Sequence, residues 1–164
     1  MTLRILTVGD VVGHAGLSHL QATLHAQKKA LDVDLCIVNG ENASEIKGIC
    51  KADAELLLLA GADVITLGNH AYSAPDIGNF LDDHADVIIR PANFPAHNPG
   101  YGYTITNVNG VRVLCINMLP QGLYREGSVG RRKLSNADVP LHGDVRGKRT
   151  DDVLDRTVYR GYVS

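Results

Sequence analysis

Three short apolar runs, Leu3–Val8, Leu35–Val38 and Val64–Leu67, follow one another at a spacing of about 30 residues, the length of a strand–helix–strand unit. Helical patterns fill the intervals. Leu17, Leu20, Leu24 and Leu31 predict a first helix with one apolar stripe. Ala52–Ala60 is a run of strong helix formers closed by Gly61. Ser73 predicts the N-cap of a third helix reaching Asp83, with Pro75 in its first turn, and Val87–Ile89 reads as a fourth strand. Strands buried on both faces read as continuous apolar runs, and parallel neighbours need helical crossovers between them. The pattern then changes, because Tyr103–Val108 and Val111–Met118 flank Asn109-Gly110, a strong hairpin signal. The expected fold class is α/β, a mainly parallel sheet with helices on its faces, followed by a hairpin.

Each of the first three strands runs directly into polar residues. These are Gly9-Asp10 after the first, Asn39-Gly40-Glu41-Asn42 after the second and Gly68-Asn69-His70 after the third. In an open parallel sheet, ligands bind outside the carboxyl ends of the strands, and the even spacing brings all three clusters to that edge. Carboxylate, amide and imidazole donors together suit divalent ions such as Mn²⁺, Fe²⁺ or Zn²⁺. A carboxylate shared by two such ions would stabilise both oxygens of a phosphoryl displacement. Each cluster also has a plainer reading. Gly9-Asp10 and Asn39–Asn42 are equally turns, Asn69 a helix N-cap, and His70 a loop histidine with its hydrogen bonds satisfied.

Other chemistries find little support. Gly9, Gly13 and Gly16 do not match the dinucleotide fingerprint, and no Gly-Lys-Ser/Thr is present for a phosphate-binding Walker loop. A net charge of −2 opposes a chain-wide basic surface for nucleic acid. His14, His19, His25 and His84 are assigned to the surface. No apolar run approaches the roughly 20 residues of a membrane span, and Arg4 with Asp10 leaves no signal-peptide core between them. Cys36 and Cys115 lie in apolar runs and Cys50 has an unrelated spacing, the usage of free thiols in a reducing compartment. The expected location is cytoplasmic.

The segments Gly9-Asp10-Val11-Val12-Gly13, Asn39-Gly40-Glu41-Asn42-Ala43, Asp63-Val64-Ile65-Thr66-Leu67-Gly68-Asn69-His70 and Arg90-Pro91-Ala92-Asn93-Phe94-Pro95 together resemble one known family. It is the bacterial branch of calcineurin-like metallophosphoesterases that includes 2′,3′-cyclic-nucleotide phosphodiesterases. The resemblance runs from Leu3 to about Leu119 and implies part of a metallophosphoesterase sandwich. By position it implies that Asp10 ligates one metal, Glu41 bridges two, Asn42 assists at the site, Asn69 binds the second metal and His70 protonates the leaving group. Two divalent ions (Fe, Mn or Zn) are the implied cofactors. The implied substrate is a small, cyclic or nucleotide phosphodiester, attacked at phosphorus by a metal-bound hydroxide.

Two stretches depart from the family. Ser44-Glu45-Ile46 stands where small glycine-rich residues are usual, and Tyr72-Ser73 where Trp-Asp is usual. Family members also continue well beyond this length, with Asp-Phe-His and Gly-Thr-His-Thr-His segments whose histidines complete both metal shells. Here only His142 follows His97, in an unmatched context. The resemblance therefore implies metals short of ligands and little or no turnover by the free-standing chain. It also implies an open apolar edge that favours a homo-oligomer.

Composition breaks at the same place. Residues 1–124 carry seven Lys/Arg against twelve Asp/Glu, whereas residues 125–164 carry nine against six and contain no Ile, Phe or Met. Residues 1–120 read as the N-terminal half of a metallophosphoesterase domain, and 121–164 as an unmatched basic tail, poorly ordered for want of apolar periodicity. A shifted reading frame would account for the break. Read one base later, codons for Gln121–Arg125 can encode Arg-Val-Tyr, and those for His142–Lys148 can encode Thr-Ala-Thr-Ser-Gly-Glu-Lys. Arg131-Arg132-Lys133 reads as a solvated charge run in preference to an RNA site. The alternatives to an enzyme are a non-catalytic remnant with one weak metal site, or an RNA-contacting arm whose binding weakens in salt.

Overall fold

The computed structural model describes residues 2–45 and 47–120, so the expected basic tail and its disorder lie outside the described residues. Strands β1 (Ile5–Val8), β2 (Leu35–Asn39), β3 (Val64–Thr66) and β4 (Ile88–Ile89) pair in parallel and in sequence order. Helices α1 (Gly13–Ala30), α2 (Lys51–Leu59) and α3 (Ile77–Asp83) are the crossovers, and β5 (Tyr103–Val108) with β6 (Val111–Ile116) forms a separate antiparallel hairpin. Its turn places Asn109 and Gly110 at φ 53° and 83°, the double positive φ that the Asn-Gly pair favours.

Strand alternation sorts the apolar residues into two layers. Cys36, Val38, Ile65 and Ile88 face the helices and join Leu17, Leu20, Leu24, Leu57, Phe80 and Leu81. Leu35, Val64 and Ile89 face the opposite way and pack on Val108 and Cys115 of the hairpin. The helices therefore share one face and the hairpin covers the other, a refinement of the expected helices on both faces. Successive crossovers of one hand into neighbouring strands put every helix on the same side.

Two local expectations differ. Leu31 is the C-cap of α1 and 58% exposed, because the helix ends at Ala30 before that side chain can turn inward. Ser73 does not cap α3, which begins at Ile77 with Asp76 in the N-cap position and no side-chain cap bond. Asp76 Oδ2 instead accepts from the Lys51 backbone N–H (3.2 Å), the first residue of α2. The end of α2 follows expectation: Gly61 N–H donates to Leu58 O and Ala62 N–H to Leu57 O (3.0 and 3.1 Å), a Schellman closure.

All three cysteines are free, with Cys36 and Cys115 buried and Cys50 partly exposed. Burial pushes both buried thiols above their ordinary pKa, and the nearby Lys28 ammonium only partly offsets this at Cys36. An excess of iodoacetamide should therefore modify Cys50 first in the folded chain, and Cys36 and Cys115 only on unfolding. Equal rates for all three, read by peptide mass spectrometry, would contradict this packing.

Candidate metal and phosphoester site

Because the strands are parallel and in register (Val8 opposite Val38, Asn39 opposite Thr66), Asp10, Glu41, Asn42, Asn69 and His70 all emerge at one sheet edge. Backbone bonds stitch the first two loops together. Val11 N–H donates to Asn39 O and Gly13 N–H to Asn42 O, both at 2.9 Å. Asn42 Nδ2 lies 3.1 and 3.0 Å from the two Asp10 carboxylate oxygens, so this amide orients the exposed Asp10. Asn39 takes part as well, its Oδ1 accepting the Glu41 N–H at 3.0 Å.

Glu41 joins the second loop to the third. Its Oε1 accepts the His70 backbone N–H at 2.7 Å and lies 3.5 Å from His70 Nδ1. The carboxylate rests directly on Gly68, where a Cβ would come within 1.8 Å of Oε2 and 2.2 Å of Cδ. His70 Nδ1 is buried and has no hydrogen-bond partner among the described residues, which contradicts the reading of His70 as a satisfied loop histidine. Asn69 is exposed and lies in a turn, not at a helix start, so it is not an N-cap.

The donor set is chemically suited to a divalent ion: two carboxylates, amide oxygens and an imidazole nitrogen left without a partner. It is small, however. No group of three or more His, Cys, Asp or Glu able to hold a metal occurs among the described residues.

Other residues frame the site. Ser44 Oγ donates to Asp53 Oδ2 (2.5 Å) and accepts from the Cys50 N–H (3.0 Å), tying the second loop to the start of α2. His14 is exposed, as its surface assignment expects, and it puts Nδ1 3.3 Å from Glu45 Oε1 and Nε2 3.9 Å from the buried Asp53 carboxylate. Neither contact has a local sequence signal. The Arg90–Pro95 segment is a brace: buried Arg90 donates to the carbonyls of Pro99, Gly100 and Pro91, and Asn93 exchanges two bonds with Leu119. Tyr72 donates to Pro99 O at 2.7 Å, and burial pushes its phenol up to about 12, so it stays a neutral donor at ordinary pH.

The family model for YmdB-like proteins matches residues 6–128, most of the chain and every loop of this edge. The chain belongs to the YmdB-like family. Among curated relatives, the 2′,3′-cyclic-nucleotide 2′-phosphodiesterase of Bacillus subtilis (strain 168) is 39% identical over 116 residues, covering 71% of this chain and 44% of that protein. A crystal structure titled as a novel phosphatase of Mycoplasma pneumoniae superposes with a TM-score of 0.72 at 27% identity, over 80% of this chain and 48% of that one. The crystal structure of a hypothetical protein from Thermus thermophilus gives 0.66 at 34% identity, over 71% and 44%. The chain spans less than half the length of the curated relatives it matches. No helix among the described residues is long and apolar enough to cross a membrane.

Proposed function

We propose that this edge is part of the active site of a metal-dependent phosphoesterase acting on small phosphodiesters, cyclic nucleotides among them. The supporting observation is the Glu41–Gly68–His70 contact, which seats a carboxylate against a histidine whose Nδ1 lacks a hydrogen-bond partner. Asp10, Glu41, Asn42 and Asn69 would hold two divalent ions (Fe, Mn or Zn) together with donors beyond the described residues. When bound, such ions neutralise the phosphate and lower the pKa of attacking water. Asn42 keeps Asp10 oriented, while Glu41 accepts the His70 backbone N–H and so fixes the loop that carries the ring, whose Nε2 would deliver a proton to the departing oxygen. Residues 1–120 then form the N-terminal half of a metallophosphoesterase domain.

A second reading, a non-catalytic protein with one weak metal site, draws on the shortage of metal-ligating side chains among the described residues. Hydrolysis of bis(p-nitrophenyl) phosphate with added Mn²⁺ separates the two. Slow turnover is expected from the full chain, stopping with EDTA and lost in Asp10→Ala and His70→Ala. Turnover indifferent to all three would overturn the proposal, and Mn²⁺ binding without any turnover would favour the second reading.

A further inference from the structure

Among the described residues Asp53 is the one buried carboxylate, and the phosphoesterase reading gives it no role. A carboxylate taken out of water is costly unless it is paired and hydrogen-bonded. Asp53 stands in the first turn of α2, where the helix dipole favours negative charge. Its Oδ2 accepts from the Ser44 hydroxyl (2.5 Å) and the Cys50 thiol (3.3 Å). The basic side chain in ion-pair range of it, among the described residues, is His14, with Nε2 3.9 Å away.

His14 turns its other nitrogen to a second carboxylate, Nδ1 lying 3.3 Å from Glu45 Oε1. A ring protonated at both nitrogens presents an N–H to each carboxylate, whereas a neutral ring serves only one. The Glu45 pair is exposed on both sides and by itself is worth little. Its importance lies in the segment it grips. Ser44 and Glu45 come just after Asn42 in the chain, and Ala43 between them is fully buried, so displacement at Glu45 is passed back to Asn42. On the α1 side, Gly13 directly before His14 donates its N–H to Asn42 O (2.9 Å). Asn42 Nδ2 in turn reaches both Asp10 carboxylate oxygens. The side-chain bridge and the backbone bond thus hold the same two segments together, one on each side of the amide that orients Asp10.

We propose that His14 is a positioning residue for the candidate site: by bridging Glu45 and Asp53 it holds the segment after Asn42 against α1 and so keeps the Asn42 amide on the Asp10 carboxylate. The inference rests on the phosphoesterase reading for its consequence at the metal, but not for the network itself. Its test compares His14→Ala with His14→Arg in the full 164-residue chain. Arginine is always charged and carries donors enough for both carboxylates, so it restores the bridge without restoring the ring. The Asn42 side-chain amide resonances, recorded without metal, should shift in His14→Ala and return toward the parent in His14→Arg. Such a return cannot come from a ring current, because both variants lack the imidazole. Mn²⁺ affinity, read by electron paramagnetic resonance, should fall by about fivefold in His14→Ala, less than the 10–100-fold of a partner that touches a ligand directly. It should recover in His14→Arg.

Unmoved Asn42 resonances in His14→Ala overturn the proposal, and so do resonances displaced equally in both variants. A parent that binds Mn²⁺ and an His14→Ala variant that binds it equally well overturn it too, even if the variant melts at a lower temperature, because the role of His14 would then be structural only. A parent that binds no Mn²⁺ counts against the proposed function instead, and the Asn42 resonances then decide the role of His14 alone.

Discussion

Gly102→Ala is expected to lower the stability of the fold by about 3 kcal/mol, the upper end of the usual overpacking cost. A Cβ at residue 102 would lie 2.1 Å from Ala92 Cα and 2.7 Å from Ala92 N, so it meets backbone that no rotamer change can clear. That backbone is itself pinned. Ala92 N–H donates to Asn117 O (2.7 Å), Asn117 N–H to Gly102 O (2.9 Å) and Arg90 N–H to Tyr101 O (2.9 Å). Relief would require the hairpin to lift from the parallel sheet, opening the layer of Leu35, Val64, Ile89, Val108 and Cys115. Urea unfolding followed by circular dichroism would show a lower midpoint with an unchanged slope. An unchanged midpoint would mean that the hairpin is not held against β4 in this way.

Much of the architecture is legible in the sequence, for a definite reason. A buried parallel strand must be apolar throughout, and the first polar residue after it marks the carboxyl edge, so Asp10, Glu41 and His70 announce their own position. The Asn109-Gly110 turn is equally local, because few other pairs adopt its backbone angles at low cost. The resemblance extends this reading, and the match over residues 6–128 bears it out.

What the sequence hides are contacts between distant segments. Asp76 looks like part of α3 but binds the start of α2, and Ser44 looks like loop filler but holds buried Asp53. His14 carries no signal beyond an exposed position on a helix, yet it stands over Glu45 and Asp53. Gly68 is the clearest case. Within Leu67-Gly68-Asn69 it reads as a turn residue, whereas its missing side chain is the seat of the Glu41 carboxylate. Periodicity and turn chemistry describe what a residue does to its own backbone and are silent about which side chain arrives from another loop.

Gly68→Ala is accordingly expected to damage the site while sparing the fold, the opposite of Gly102→Ala. The three atoms nearest the added Cβ all belong to the tip of Glu41, at 1.8–2.5 Å, and a flexible side chain can swing away at small energetic cost. Swinging away breaks the 2.7 Å bond from the His70 N–H and separates the carboxylate from His70 Nδ1. Loss of a group that orients metal-site residues commonly costs 10–100-fold in metal affinity. Mn²⁺ affinity, measured by electron paramagnetic resonance, should therefore fall by about tenfold or more. The urea midpoint should stay within experimental scatter of the parent. The His70 amide resonance gives a readout independent of metal: it should shift in Gly68→Ala and in Glu41→Ala. In Glu41→Gln, where a carbonyl oxygen still accepts the N–H, the change should be smaller. An unmoved His70 amide and unaltered Mn²⁺ binding in Gly68→Ala would show that Glu41 does not depend on this seat, and the assignment of Glu41 as the carboxylate at the centre of the site would fall with it.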